Sequence, residues 1–325
     1  MSTQQMRSPT REGVIRAAAK IADLVPMTPL LEVEVNGVTV WCKAESLQPV
    51  GAFKIRGAWH RLSDLSAEER ARGVVGVSSG NHAQGVAWAA KRLGIPATIV
   101  MPADAPQVKL DSTRALGADV VLYDRPGGED RDAVAQLLVD QRGSTLVHAF
   151  ADPWVIEGPG SAGLEIAAQL AARGNGAPTR IVCPCGGGGL TAGLALALPE
   201  AEIVPVEPEH WDDVCRSLEA GEIVSVTDPK QPTACDALQT PATRPINFAV
   251  LKDRVKSGRM VTPAEVRAAQ RWAFARLQLV VEPGGAAALA AALAGKVALD
   301  GRTVIVLSGG NTDPASFAEV ITSPN

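Results

Sequence analysis

Lys54 stands between Phe53 and Ile55, with the small residues Gly51, Ala52, Gly57 and Ala58 close by in the chain. A lysine desolvated among apolar neighbours loses part of its basicity and becomes a nucleophile toward an aldehyde, and small flanking residues let a planar ligand approach. Taken alone, the segment also suits a solvated surface lysine. It has company in Ser78-Ser79-Gly80-Asn81-His82, the run Gly186-Gly187-Gly188-Gly189, and Ser308-Gly309-Gly310-Asn311. Consecutive glycines between an apolar strand-like run and an apolar helix-like run expose successive N–H groups at a helix N-terminus, where a phosphate binds without any basic side chain. A tight structural turn is the plain alternative. A P-loop is disfavoured because Leu190 follows the glycines where Lys-Ser/Thr would be required, and a dinucleotide fingerprint fails similarly.

These clusters need elements to position them. Short β-branched runs alternate with longer amphipathic stretches: VVGVS (74–78), NHAQGVAWAAKRLG, ATIVMP, VKLDSTRALGAD, DVVLY, DRDAVAQLLVDQR and TLVHAF (145–150). Ala83, Val86, Ala87, Ala90 and Leu93 share one face of a 3.6-residue period, so a helix begins right after Ser79-Gly80-Asn81. The alternation resumes with TRIVCPC (179–185), LTAGLALAL, AEIVPVEP (201–208) and TVIVLSGGN (303–311), after a less regular stretch around 222–247. Strands alternating with helices predict an α/β chain with parallel sheets, and every small-residue cluster falls where a strand-like run ends, which is where ligands gather in such sheets. The expected division is a small domain at 64–150 and a large domain made of 1–63 with 151–325.

Composition limits the partners. The chain has 325 residues, 46% hydrophobic and 20% charged, with 31 Gly and 23 Pro, which fits a globular protein rich in tight turns. A formal net charge of −4 without a long basic run gives no footprint for nucleic acid or an anionic membrane. The N-terminus lacks a signal-peptide core and no segment is long enough to span a bilayer, so a cytoplasmic protein acting on a small molecule is expected. The five cysteines form neither a C-x-x-C pair nor a dense disulfide framework. Cys183-Pro184-Cys185 ends an apolar run and has no partner His at finger spacing, so reduced, buried thiols are expected.

Taken together, Ser46-Leu47-Gln48-Pro49 through Gly51-Ala52-Phe53-Lys54-Ile55-Arg56-Gly57-Ala58, then Ser78-Ser79-Gly80-Asn81-His82-Ala83-Gln84, the four-glycine loop and Ser308-Gly309-Gly310-Asn311 resemble the threonine/serine dehydratase and serine racemase group of fold-type II (tryptophan synthase β-like) pyridoxal-phosphate enzymes. The resemblance runs from about Thr28-Pro29-Leu30 to Asn311, in matching order and approximate spacing. It implies two open parallel-sheet α/β domains with pyridoxal 5'-phosphate in the cleft, and a homodimer.

The same resemblance assigns roles. Lys54 would hold the cofactor as a Schiff base and later remove the Cα proton of the substrate. Gly186, Gly187, Gly188 and Gly189, with Leu190, would bind the phosphate. Phe53 would stack on the pyridine ring, Asn81 would hydrogen-bond its 3'-oxygen, and Ser308 would meet its nitrogen. A neutral hydroxyl there makes the ring a weaker electron sink than a carboxylate partner would, which favours β-elimination over transamination. Ser78, Ser79, Gly80, Asn81 and His82 would hold the substrate carboxylate. Ser79 is also the position from which racemases protonate the opposite face of Cα, although a helix cap explains it equally. Glu207 and Asp213, in Glu207-Pro208-Glu209-His210-Trp211-Asp212-Asp213, could share Mg2+ or another divalent cation with a backbone carbonyl near Trp211, or simply form a solvated acidic loop.

The chain departs from relatives at Ala52, where many have Ser, and at Cys235-Asp236-Ala237, where racemases and hydroxyaspartate enzymes tend to show Ala-Asp-Gly. Phe150 resembles the dehydratases and either borders the substrate or packs in the core. The chain ends soon after Ser308, which leaves no room for an appended regulatory domain. The expected activity is deamination of L-threonine or L-serine to 2-oxobutanoate or pyruvate plus ammonia. Its rivals are serine racemisation, dehydration of another β-hydroxy amino acid such as 3-hydroxyaspartate, and a catalytically silent pyridoxal-phosphate-binding protein.

Overall fold

A computed structural model describes residues 7–78, 80–105, 107–124 and 127–323. Its strands are β1 (Leu30–Val35), β2 (Val38–Ala44), β3 (Val74–Val77), β4 (Ala97–Pro102), β5 (Asp119–Tyr123), β6 (Thr145–Val147), β7 (Arg180–Pro184), β8 (Glu202–Pro208), β9 (Arg259–Val261) and β10 (Thr303–Leu307). They form a six-stranded sheet in the order β1-β2-β10-β7-β8-β9 and a four-stranded sheet in the order β5-β4-β3-β6. All pairings are parallel except β1 with β2. The alternation of β-branched and amphipathic runs therefore produces the parallel α/β architecture it predicts.

The β1–β2 hairpin is an addition to that expectation. Its two-residue turn is Asn36-Gly37, with φ of 51° and 78°, the left-handed pair that matches the twist of antiparallel strands. The small-sheet strands all lie within 74–147. Their apolar core nevertheless recruits Val50, Ile55, Ala58 and Leu62, so the Lys54–Ser63 helix packs beneath the small sheet as well as against the long Pro153–Ala172 helix. This leaves the Lys54 helix wedged between the two sheet units. The 64–150 boundary remains our proposal for the division of domains.

The Asn81–Leu93 helix is buried on more than its predicted stripe, because Gly85, Trp88 and Ala89 are also enclosed. The TLVHAF run stops being a strand at Val147. The N–H groups of Phe150 and Ala151 turn instead to His148 Nδ1, at 3.2 and 2.9 Å, so a side chain takes the place of the strand ladder.

Candidate active site

β2, β10 and β7 lie side by side, and their carboxyl ends lead respectively toward Lys54, into Ser308, and into the glycine run. From the facing sheet, β3 leads into Ser78–His82 and β6 into His148–Phe150. Between them is a cavity of about 620 Å³ lined by Phe53, Lys54, Ser78, Gly80, Asn81, His82, Gly186 to Gly189, Leu190 and Ser308, together with His148, Phe150 and Glu282. Four clusters spread along the chain from Lys54 to Ser308 thus share the walls of a single space. Ser79 lies outside the described residues.

Lys54 begins its helix, and its Nζ donates to the Ala149 carbonyl at 2.9 Å. Burial pulls the ammonium down to about 8, with Glu282 partly opposing the shift, so the free amine is accessible near neutral pH. Two residues on, Arg56 is wholly buried and grips Glu45 at 2.7 and 2.8 Å and Glu165 at 2.7 and 2.9 Å. Lys43 completes the cluster by donating to Glu165 at 2.6 Å, so two cations meet two carboxylates and the first turn of the Lys54 helix is bolted to the large sheet.

The opposite register is fixed through Ser308-Gly309-Gly310-Asn311. Phe53 N–H donates to the Ser308 carbonyl at 3.1 Å and Gly310 N–H to the Gly51 carbonyl at 2.9 Å, which ties the Lys54 loop to the end of β10. Asn311 Nδ2 donates to the Val50 carbonyl at 2.7 Å and to Asn81 Oδ1 at 2.8 Å. That bond defines the Asn81 amide, whose Nδ2 donates to Glu282 Oε1 at 2.6 Å. Burial and nearby Asp236 raise the Glu282 carboxyl to about 8 despite this bond. Sequence reading missed Glu282 because a Glu before a Pro-Gly-Gly helix start reads as an ordinary helix entry.

The glycine run leaves little room for side chains. A Cβ at Gly187 would lie 2.3 Å from the Phe150 ring, and one at Gly188, where φ is +88°, would lie 2.8 Å from Leu251. The Gly189–Ala197 helix starts immediately after, with N–H groups that lack intrahelical partners. This is a cradle of backbone donors without a charged side chain among its own residues, which suits a phosphate. Gly187→Val is expected to displace Phe150 and weaken binding of a phosphorylated cofactor by at least about tenfold, corresponding to the 1–3 kcal/mol cost of overpacking; titration of pyridoxal phosphate against the variant checks it.

His82 and the acidic pair show what geometry adds to residue type. His82 Nε2 donates to the Val147 carbonyl at 2.9 Å, and burial, aided by Lys54, holds the ring near about 3, so it is neutral. Its side chain is already engaged, which leaves backbone N–H groups of this helix start to meet an anion. Glu207 accepts from the Val214 and Cys215 N–H groups at 3.1 and 2.7 Å. Both Asp213 carboxylate oxygens are buried without a hydrogen-bond partner among the described residues. The pair is therefore enclosed and not a solvated loop. Among the described residues no group of three or more His, Cys, Asp or Glu is placed to hold a metal. The cysteines are all free and buried.

A family model described as pyridoxal-phosphate dependent enzyme matches residues 21–309. The chain belongs to the pyridoxal-phosphate dependent enzymes. Its residues fit that group: an amine of lowered basicity, a cradle that side chains would fill, and a flat apolar face at Phe53 share one cavity. The chain is 38% identical over 322 residues to the L-threo-3-hydroxyaspartate ammonia-lyase of Saccharomyces cerevisiae, covering 96% of each. It is 37% identical over 323 residues to the serine racemase of Schizosaccharomyces pombe, covering 96% of this chain and 97% of that one. The crystal structure of a T.th. threonine deaminase superposes with a TM-score of 0.85 at 41% identity, covering 94% of this chain and 99% of that one. The pyridoxal-phosphate enzyme described here is thus of the ammonia-lyase and racemase kind, with fold-type II architecture. Among the described residues no helix is long and apolar enough to cross a membrane.

Proposed function

We propose that this pyridoxal-phosphate enzyme is an L-threonine/L-serine dehydratase that releases 2-oxobutanoate or pyruvate plus ammonia by α,β-elimination. The observation that carries the reading is the pairing, in one cavity, of a Lys54 amine of lowered basicity with Ser308 at the end of β10. Bound pyridoxal phosphate supplies an electron sink that acidifies the Cα–H bond of the amino acid. Lys54 holds the cofactor aldehyde and, once released, takes the Cα proton. The glycine run and Leu190 hold the phosphate, and Phe53, Asn81 and Ser308 orient the ring. Ser78, Ser79, Gly80, Asn81 and His82 receive the substrate carboxylate at the start of the Asn81–Leu93 helix, where backbone donors and dipole favour an anion. Ser308 offers no negative charge to the ring nitrogen, so the electrons leave with the β-substituent.

A second reading, 3-hydroxyaspartate dehydration, is favoured by the cavity mouth. Arg131 and Arg244 both lie there and share Asp132 at 3.7 and 4.0 Å, which leaves one guanidinium charge available to a distal carboxylate. A panel of L- and D-serine, L- and D-threonine and L-threo-3-hydroxyaspartate, assayed together for ammonia, 2-oxo acid and enantiomer ratio, separates these readings. Enantiomer change without 2-oxo acid would make the protein a racemase acting through Ser79. No turnover of any kind, with cofactor bound, would leave the silent cofactor-binding reading standing. A homodimer, which rests on family resemblance, and a cytoplasmic location are part of the same proposal.

We also propose that Glu207 and Asp213 hold a divalent cation such as Mg2+. Burial raises Asp213 to about 7, and burial with Asp213 beside it raises Glu207 well above the usual carboxylate range. A carboxyl raised on folding stabilises the protein below its unfolded value and loses that contribution as pH rises through the folded one. In chelator, the melting temperature is therefore expected to fall between about pH 4 and pH 7. Added Mg2+ is expected to restore it at pH 7 and above, and to do nothing in Glu207→Gln; a flat profile in chelator would remove the pair from consideration.

A further inference from the structure

His148 is a cavity-lining titratable group for which the reading above has no use. Its Nδ1 accepts two backbone N–H groups from its own turn, Phe150 at 3.2 Å and Ala151 at 2.9 Å. An imidazole nitrogen that accepts cannot carry the proton, so the neutral ring keeps its hydrogen on Nε2. That Nε2 has no hydrogen-bond partner among the described residues, and His148 is part of the cavity wall. The ring is held edge-on against Phe150, with centroids 4.7 Å apart at 86°, and Phe150 in turn fills the space beside Gly187. The Lys54 amine is bonded to the Ala149 carbonyl, one residue along from His148. Lys54 is near enough to lower the basicity of the His148 ring, and both residues line the same cavity, so a substrate whose Cα hydrogen reaches Lys54 carries its β-oxygen, two bonds from Cα, into the space this donor borders.

We propose that His148 is a catalytic hydrogen-bond donor that, from Nε2–H, binds the β-hydroxyl oxygen of the substrate and stabilises it as the Cβ–O bond breaks. The inference rests on the dehydratase reading and deepens it. His148 lends a hydrogen bond only, because giving up its proton from the neutral state would create an imidazolate. The balance closes without it as an acid: the proton that leaves Cα and the hydroxyl that leaves Cβ together amount to one water, while the Cα–H electron pair becomes the Cα–Cβ double bond. Lys54, Arg131, Asp132 and Arg244 are the charged groups that act on the ring, and burial together with Arg244 holds it neutral down to about 4. The donor is thus present throughout the working pH range.

The test compares two leaving groups in the holoenzyme. L-Serine must expel an oxygen that gains from a hydrogen bond, whereas β-chloro-L-alanine expels chloride, which needs none, from the same carbon. His148→Ala is expected to lower kcat/KM for L-serine by about 100-fold, the usual consequence of removing one donor to a developing oxyanion. The value for β-chloro-L-alanine should change little. His148→Gln, which retains an N–H donor at similar reach, is expected to recover part of the L-serine rate and serves if the alanine variant does not fold. Equal losses on both substrates, or no loss on either, would overturn the proposal, since a ring that merely supports Phe150 cannot distinguish the two leaving groups. Wild-type enzyme that makes 2-oxo acid from neither substrate would sink the dehydratase reading itself and this inference with it.

Discussion

Lys54→Ala is expected to lower 2-oxo acid formation from the best substrate by at least about 10⁴-fold, the upper end of what a positioned acid–base residue contributes, because one side chain both anchors the cofactor and moves the Cα proton. The protein should still fold. Among the described residues the Lys54 side chain makes a single hydrogen bond, to Ala149, and its burial disfavours its own charge, so the native state loses little with it. Cofactor absorbance near roughly 410–420 nm, as expected for a lysine-bound cofactor, should vanish from the variant even when pyridoxal phosphate remains bound. The wild-type apoenzyme adds a second check. Its lysine titrates at about 8, so the rate of cofactor capture should rise with pH through that value and level off above it. A midpoint near that of free lysine would mean that the apolar setting does not activate the amine. Full activity in the alanine variant would remove Lys54 from the mechanism.

Arg56→Met is expected to destabilise the protein by about 3–5 kcal/mol, measured by denaturant titration, because it strands a fully buried Glu45 whose partner is gone. By contrast Arg180→Ala, which breaks a partly exposed pair with Glu202, should cost no more than about 1 kcal/mol. The double variant Arg56→Met with Glu45→Met should recover much of the single variant's loss, since the remaining Lys43 and Glu165 balance each other. The pH sign is opposite to that of the cation pair. Burial would raise Glu45, but Arg56 outweighs it and holds the carboxyl below its ordinary value, so this contribution is present above the unfolded value and is lost as pH falls through the folded one. Activity is expected to fall with stability, because Arg56 sits two residues from Lys54 on the helix that aims it.

How far the sequence reached depends on whether a feature is local. Strands follow from short β-branched runs and helices from a period of 3.6 residues, and the parallel sheets follow from their alternation. The glycine run and Ser308 each follow directly on a strand-like segment, so the rule that ligands gather at strand ends points to them before any coordinate does, whereas Lys54 lies beyond β2 at the start of the next helix and is marked by its motif. His148 illustrates the limit: TLVHAF reads as one strand, and only the competition between a ladder and a side-chain nitrogen, settled three-dimensionally, ends it at Val147.

The sequence alone determined the parallel α/β fold, through the alternation of strand-like and helix-like runs, and the cofactor class, through the resemblance of four motifs in order and approximate spacing to a known family. The tertiary structure decided what those motifs touch. It linked Arg56 to Glu165 across 109 residues and Asn81 to Glu282 across 201. It also enclosed Glu207 with Asp213, engaged the His82 ring with Val147, and placed His148 in the cavity wall. Burial and partner geometry set protonation and hydrogen-bond direction, and both are properties of neighbours that chain order does not reveal.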